Sequence, residues 1–554
     1  MNNNINIMKK ILYKSLLFTL LLTVFTSCDD TSFLATVPYS YTSPDNYYQS
    51  LGDFENAITG CYDAMNTSYV GSSFVEDGNY AWGLQMMLNG GTDELILVNS
   101  VSIADYTVFG DASYSSSSTP ISDFWITYYA GIMRCNYVIE KANQISLSTS
   151  DQSRLAQIVG EAHFLRAFYY YHLAELFGGV PLHTSIGESA GSRQSLEVVY
   201  NKLIIPDLQF AYNSLPNRPT ITARANKWSA AGYLGVVYNY LSSCKRYNVG
   251  LPNDSLNSFS WVNADTMSLK AKTILKTIID NSNYKLTAKY NYLFRETTKS
   301  YQQEECLFTA ENTLKTSDSY PLAVYQFAPG SSAKGGSYGI YRSPIELYPI
   351  YESTGKIDIR RSYNIVQAYT STTETIEGIS YYVPGVSNGA TSSLNYTGKF
   401  RCENPDDGVR SLPRGRSGVS LPLLRYADIL LQYAEALYFT GDEATARTYF
   451  TQVRSRIVAT GQDVASLNTT YYKADFVQEL LDERKRELCF ESKRRIDLIR
   501  FGKLTSTIAA LSTTVAHNVT AKTLQANWTD YKIWFPIPLR EMDLNHQLIQ
   551  NSGY

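Results

Sequence analysis

Residues Tyr433 to Ala446 read YAEALYFTGDEATA. An alanine-rich apolar run reaches Gly441, and Asp442 then opens a second run. Glycine takes the left-handed conformation that closes a helix, and an aspartate carboxylate accepts from the free N–H groups that start the next one. The stretch predicts two helices, over about 423–439 and 442–457, folded back on each other across a tight turn. The same 3.6-residue spacing recurs on both sides. Phe54, Ala57, Ile58 and Cys61 share one helical face, as do Trp125, Tyr128, Tyr129, Ile132, Cys135 and Ile139. Further helices are expected over about 152–176, 195–213, 226–243, 267–280 and 475–499. The fold class is all-α: helical pairs separated by long irregular stretches near 66–120, 244–266, 312–345 and 370–420.

Composition bounds the function. The chain has 554 residues, with 48 Lys+Arg against 51 Asp+Glu and 44% hydrophobic residues. That is enough for a large buried core and gives no support to a nucleic-acid partner. Its 45 tyrosines are the surplus, a residue with an apolar face and a polar tip that suits wet binding surfaces. The cysteines are scattered without CxxC spacing, and the five histidines form no HExxH, so no metal and no cofactor are expected. Gly335 to Gly339 matches G-x-S-x-G, but the flanks lack the strand and helix of a nucleophile elbow. Thr92-Asp93-Glu94 supplies adjacent acids, the one feature that keeps a glycoside hydrolase as an alternative. The expectation is a binding protein with no catalytic residues.

The N-terminus has its own signature. Lys9, Lys10 and Lys14 precede an apolar run, Leu16 to Thr26, too short to span a bilayer. It ends Phe25-Thr26-Ser27-Cys28, which resembles a bacterial lipobox. Residues 1–27 are therefore expected to be a signal peptide, Cys28 the lipidated residue, and 28–45 a leash. Residues 46–554 form the remaining domain, with helical halves at about 46–243 and 421–554 around a loop-rich middle at 244–420. No second apolar run of membrane-spanning length follows.

The YAEALYFTGDEATA pair resembles one tetratricopeptide unit, although its 34-residue period is not kept elsewhere. Four blocks resemble the SusD/RagB family of outer-membrane nutrient-binding lipoproteins: GEAHFLRAFYYYHLAELFGGVPL (160–182), LPLLRYADILLQYAEA (421–436), DERKRELCFESKRRIDLIRFGKL (482–504) and IWFPIPLREMDLNHQLIQNSGY (533–554). The resemblance implies a tetratricopeptide-like scaffold anchored to the outer membrane through its N-terminal lipid and facing the exterior. It also implies an oligosaccharide ligand, delivered to a SusC-like TonB-dependent transporter. Some members of the family bind peptide instead, which is the second expectation.

Physically the four blocks read as scaffold. Glu161, Arg166 and Glu175 can pair along or between helices, and Arg425 and Asp428 are spaced to pair with each other or with neighbouring helices. The signs alternate from Arg484 to Asp497. Ligand contact is expected instead from loop residues: Asn79, Tyr80 and Trp82 before the Thr92-Asp93-Glu94 element, Asp93 within it, Tyr106, Phe109 and Tyr114 after it, and Tyr338 and Tyr341 farther on. Aromatic faces cover sugar C–H faces while amide and acid groups take the hydroxyls. The starch-binding member carries Trp just after this element; here the run is Leu95 to Asn99, so a glycan other than starch is expected.

Overall fold

The computed structural model describes residues 47–65, 68–70, 73–75, 83–97, 107–189, 191–219, 221–311, 340–352, 357–367, 373–376, 379–382, 395–400, 419–514, 518 and 520–554. The chain divides into two compact units, Met1–Asp53 and Phe54–Tyr554. In the first, the Asp53 carboxylate accepts from Ser50 N and Ser50 Oγ, both at 2.8 Å. This closes the turn that starts helix α1, Leu51–Asp63.

The second unit is a succession of antiparallel helices: α2 (Thr119–Ala142), α3 (Thr149–Phe177), α4 (Ile205–Ser214), α5 (Lys227–Arg246), α6 (Ala264–Asn281), α7 (Tyr426–Phe439) and α8 (Glu443–Ser455). Each packs on the next along the stack. The architecture is mostly helical and tetratricopeptide-like, as the sequence implied. Side chains at the helix starts explain the boundaries. Ser148 caps α3, Asn226 forms a capping box with Ser229 on α5, and Asp442 accepts from Thr445 N on α8. Gly441 has φ +88 in the α7–α8 turn, the left-handed geometry its sequence predicts. At the end of α3, a Cβ on Gly178 would lie 1.9 Å from Asn257 Oδ1, so no larger residue fits.

Three expectations are corrected. The helix placed over 423–439 starts later, because Leu421–Arg425 is a strand paired antiparallel with Cys306–Ala310, joining Leu421 to Ala310 and Arg425 to Cys306. The helix placed over 195–213 passes through a π-helical segment, Tyr200–Ile204, just ahead of Pro206, whose ring removes one backbone donor. The helix placed over 475–499 is two helices, α9 (Phe476–Leu488) and α10 (Arg494–Arg500). Phe490 and Ser492 stand between them at φ +65 and +60, where a right-handed helix cannot continue. The Lys399 ammonium holds the carbonyls freed there, donating to Glu487 O at 2.8 Å and Cys489 O at 3.0 Å.

Two kinds of core result. Around α3, Phe164, Phe168, Tyr169, Tyr170 and Tyr171 are buried among Tyr128, Tyr233 and Phe308. Tyr169 donates to Cys61 O at 2.6 Å. Around α9, by contrast, Glu483, Arg484, Lys485, Arg486 and Glu487 are five consecutive charged residues, each buried. Arg360 bridges Asp358, Glu483 and Glu487, while Arg425 bridges Glu305, Glu487 and Glu491. Burial raises the Glu487 carboxyl, but the combined attraction of Arg456, Arg425 and Arg360 outweighs it and holds the group well below the carboxylate range.

Candidate functional site

The Thr92-Asp93-Glu94 element sits in a turn that its own side chains build. Thr92 Oγ1 donates to Asn89 O at 2.6 Å and accepts from Glu94 N at 3.1 Å. Gly91, at φ +67, donates to Leu95 O at 2.9 Å. The turn is then clamped to the α9–α10 segment. Arg494 grips the Asp93 carboxylate with two bonds of 2.8 Å, and Lys485 adds a third at 2.8 Å. Burial raises the Asp93 carboxyl, yet Arg494 and Lys485 together hold it well below its ordinary value.

Its neighbour behaves oppositely. Glu94 accepts from Phe490 N at 2.9 Å, one of the two left-handed residues of the break. Burial pushes its carboxyl up to about 7, with Arg494 and the Phe490 N–H opposing and Asp93 reinforcing the rise. Adjacent acids in one turn thus hold different roles: one is a fixed anion and the other titrates near neutrality.

After the turn, Ile96–Leu97 pairs antiparallel with Tyr341–Arg342, Leu97 opposite Tyr341. The chain therefore leaves this ladder toward residue 98 and re-enters it from residue 339 at the same end. Tyr341 is fully buried, its ring edge occupying the space a Cβ on Gly90 or Gly110 would need. Thr520 fastens the same end by donating to Leu97 O.

Of the residues singled out from sequence, Asp93 and Tyr341 are thus interior groups that hold this framework. Phe109 and Tyr114 are interior too, Phe109 edge-on to Phe535 and Tyr114 tilted against it, with the Tyr114 hydroxyl donating to Lys532 O at 3.0 Å. Asn79, Tyr80, Trp82, Tyr106, Tyr338 and Cys28 lie outside the described residues. What the structure brings together is Leu97 and Tyr341, which flank the stretches holding Tyr106 and Tyr338. Sequence reasoning missed the clamp, since Lys485 and Arg494 looked like part of a charged helix face.

Two clefts open among the described residues. One, of about 300 Å³, opens beside Asp93 between Glu346, Asp482, Arg494 and Lys503. The other, of about 290 Å³, lies along Cys306–Thr309, where the Arg218 guanidinium stacks 4.2 Å above the Tyr284 ring. Among the described residues no cluster of His, Cys, Asp or Glu is arranged to hold a metal ion, and no helix is long and apolar enough to cross a membrane.

A stack of helical pairs that roots long loops beside one short ladder defines a class of scaffold, and sequence comparison names it. A sequence model described as SusD family matches residues 274–554, and a second, described as starch-binding and associating with the outer membrane, matches residues 84–239. The chain belongs to the SusD family. It is 23% identical to the SusD-like protein P25 of Formosa agariphila over 95% of this chain and 97% of that one. Among solved structures, a SusD homologue from Bacteroides thetaiotaomicron has TM-score 0.69 at 21% identity, covering 92% of this chain and 98% of its own. Surface glycan-binding protein A from the same organism, solved with laminarihexaose, has TM-score 0.66 at 18% identity, covering 90% and 99%.

Proposed function

We propose that this protein captures oligosaccharide at the cell surface and delivers it to a SusC-like TonB-dependent transporter. The carrying observation is the ladder of Ile96–Leu97 with Tyr341–Arg342, which sets Leu97 beside Tyr341 next to the clamped Asp93 turn. The stretches 98–106, 312–339 and 76–82 hold aromatics and amides that suit sugar recognition, among them Asn79, Tyr80, Trp82, Tyr106 and Tyr338. The family membership and the fold shared with a protein solved in complex with laminarihexaose support a glycan.

The roles divide accordingly. Trp82 and Tyr338 cover sugar rings, while Asn79, Tyr80 and Tyr106 complete the contact. Asp93 and Tyr341 position those loops. A lipid on Cys28, exposed by removal of residues 1–27, holds the protein beside its transporter in the outer membrane and raises the local concentration of captured ligand. The reading is of binding without bond cleavage.

Calorimetry of the protein lacking residues 1–27 against a panel of oligosaccharides tests this. Binding is expected, weakened at least tenfold by Trp82→Ala or Tyr338→Ala, with no reducing ends released. Binding of peptides alone, or oligosaccharide affinity untouched by both substitutions, would overturn it.

A further inference from the structure

At the centre of the helical stack, where α3, α5, α7, α9 and α10 meet, lies an internal cavity of about 30 Å³. Three of its lining residues carry a polar atom with no protein hydrogen-bond partner: Tyr240 Oη, Asp428 Oδ2 and Ser492 Oγ, on residues 1%, 1% and 8% exposed. Buried polar atoms are very rarely left unpaired, since an unmade hydrogen bond there costs more than a made one returns. Three such atoms on residues that line one small cavity point to an occupant. The other Asp428 oxygen is taken by Arg484 Nη1 at 2.7 Å. The Lys493 ammonium stands 4.0 Å from Oδ2, beyond hydrogen-bond reach, and donates to Leu423 O instead.

We infer that this cavity binds a water molecule that joins Asp428 to Ser492. Size limits the ligand: the space admits one or two waters and nothing of organic dimensions. Charge decides between water and a cation. Glu175, Asp428 and Asp497 line the cavity against Arg484, Lys493 and Arg500, so the wall is balanced and does not call for a positive ion. The water donates to Asp428 Oδ2 and accepts from the Ser492 hydroxyl.

The site gives Ser492 a reason for its backbone. At φ +60 a serine is strained, and this conformation belongs to the α9–α10 break beside which its hydroxyl meets the cavity. The water then fastens that break to α7, independently of the clamp on Asp93 and of any glycan.

A crystal structure of the full chain at about 1.5 Å resolution tests the inference. A density peak about 2.8 Å from both Asp428 Oδ2 and Ser492 Oγ is expected. An empty cavity, or either atom bonded directly to protein, would overturn it. Crystals grown with rubidium separate the ions: an anomalous peak in the cavity would replace water by a cation and sink the assignment. Ser492→Gly keeps the left-handed turn, which glycine adopts without strain, but deletes the hydroxyl. There the peak is expected to fall to less than half occupancy; an unchanged peak would show that Ser492 does not hold the water.

Discussion

The middle of α3 and the segment running from α9 into α10 are both closed to solvent, and they are closed by opposite chemistry. Along α3, Phe164 to Tyr171 interleave with rings from α2 and α5 at centroid separations such as 4.9 Å for Tyr128–Tyr169 and 5.4 Å for Phe168–Tyr233. The hydroxyls of Tyr169 and Tyr170 find backbone partners. Along α9, five adjacent charges are buried: four meet a counter-charge brought from elsewhere in the chain, and Arg486 pairs with Glu483 of the same helix. Ring packing has no polarity and is spread over many weak contacts, so it tolerates replacement by another apolar side chain. A buried ion network has no such slack, because every charge removed strands a partner in a low dielectric. The loops are rooted through the second kind of core. Asp93 is held by Lys485 and Arg494, and Glu94 meets the break between the same two helices.

The sharpest way to break this contrast is Arg425→Met. It leaves Glu305, Glu487 and Glu491 short of a shared counter-charge and is expected to cost about 4 kcal/mol. Urea unfolding measures this, and a loss under about 1 kcal/mol would mean that water relieves the stranded acids.

A smaller effect separates the two acids of the turn. Because burial raises Glu94 to about 7, above its unfolded value of 4.5, its share of stability is complete below pH 4.5 and is lost as pH rises through 7. Glu94→Gln removes that titration while keeping an acceptor for Phe490 N. The variant should therefore gain about 2 kcal/mol relative to the parent between pH 5 and pH 8, read from unfolding curves at both. Equal pH dependence of the two proteins would refute a neutral Glu94.

The mildest test falls on the aromatic side. Phe168→Leu keeps an apolar filling among Tyr233, Phe308 and His172 and should cost about 1 kcal/mol with the fold intact. A loss near that of Arg425→Met would erase the distinction between the cores.

The sequence displayed the helical stack well, because Gly441, Asp442 and the apolar spacing act within a few residues of the structure they specify. Tyr169 to Tyr171 and Tyr433 were read as packing residues, and all four are buried. It concealed what depends on distant partners. The charges from Arg484 to Asp497 read as ion pairs along one continuous helix; nothing local marks Phe490 and Ser492 as left-handed, since neither is glycine. Leu421 to Arg425 is too short for its apolar run to tell strand from helix, and only Cys306–Ala310 decides. Asp93 was visible as an acid beside a loop, but Arg494, its clamp, lies 401 residues away.

The pairing of Cys306–Ala310 with Leu421–Arg425 has a bearing on how such a gene can change. It ties together the two ends of everything between Glu311 and Val419, and the scaffold meets that excursion again at the Tyr341–Arg342 ladder, at Tyr351 and Asp358, and at Arg360 and Lys399. Closing a flexible loop of twice the length costs only about 0.6 kcal/mol more. Added length between these holds is therefore nearly neutral for folding, while changes at the holds themselves are not. A lineage can lengthen or shorten the excursion and inherit the scaffold unaltered.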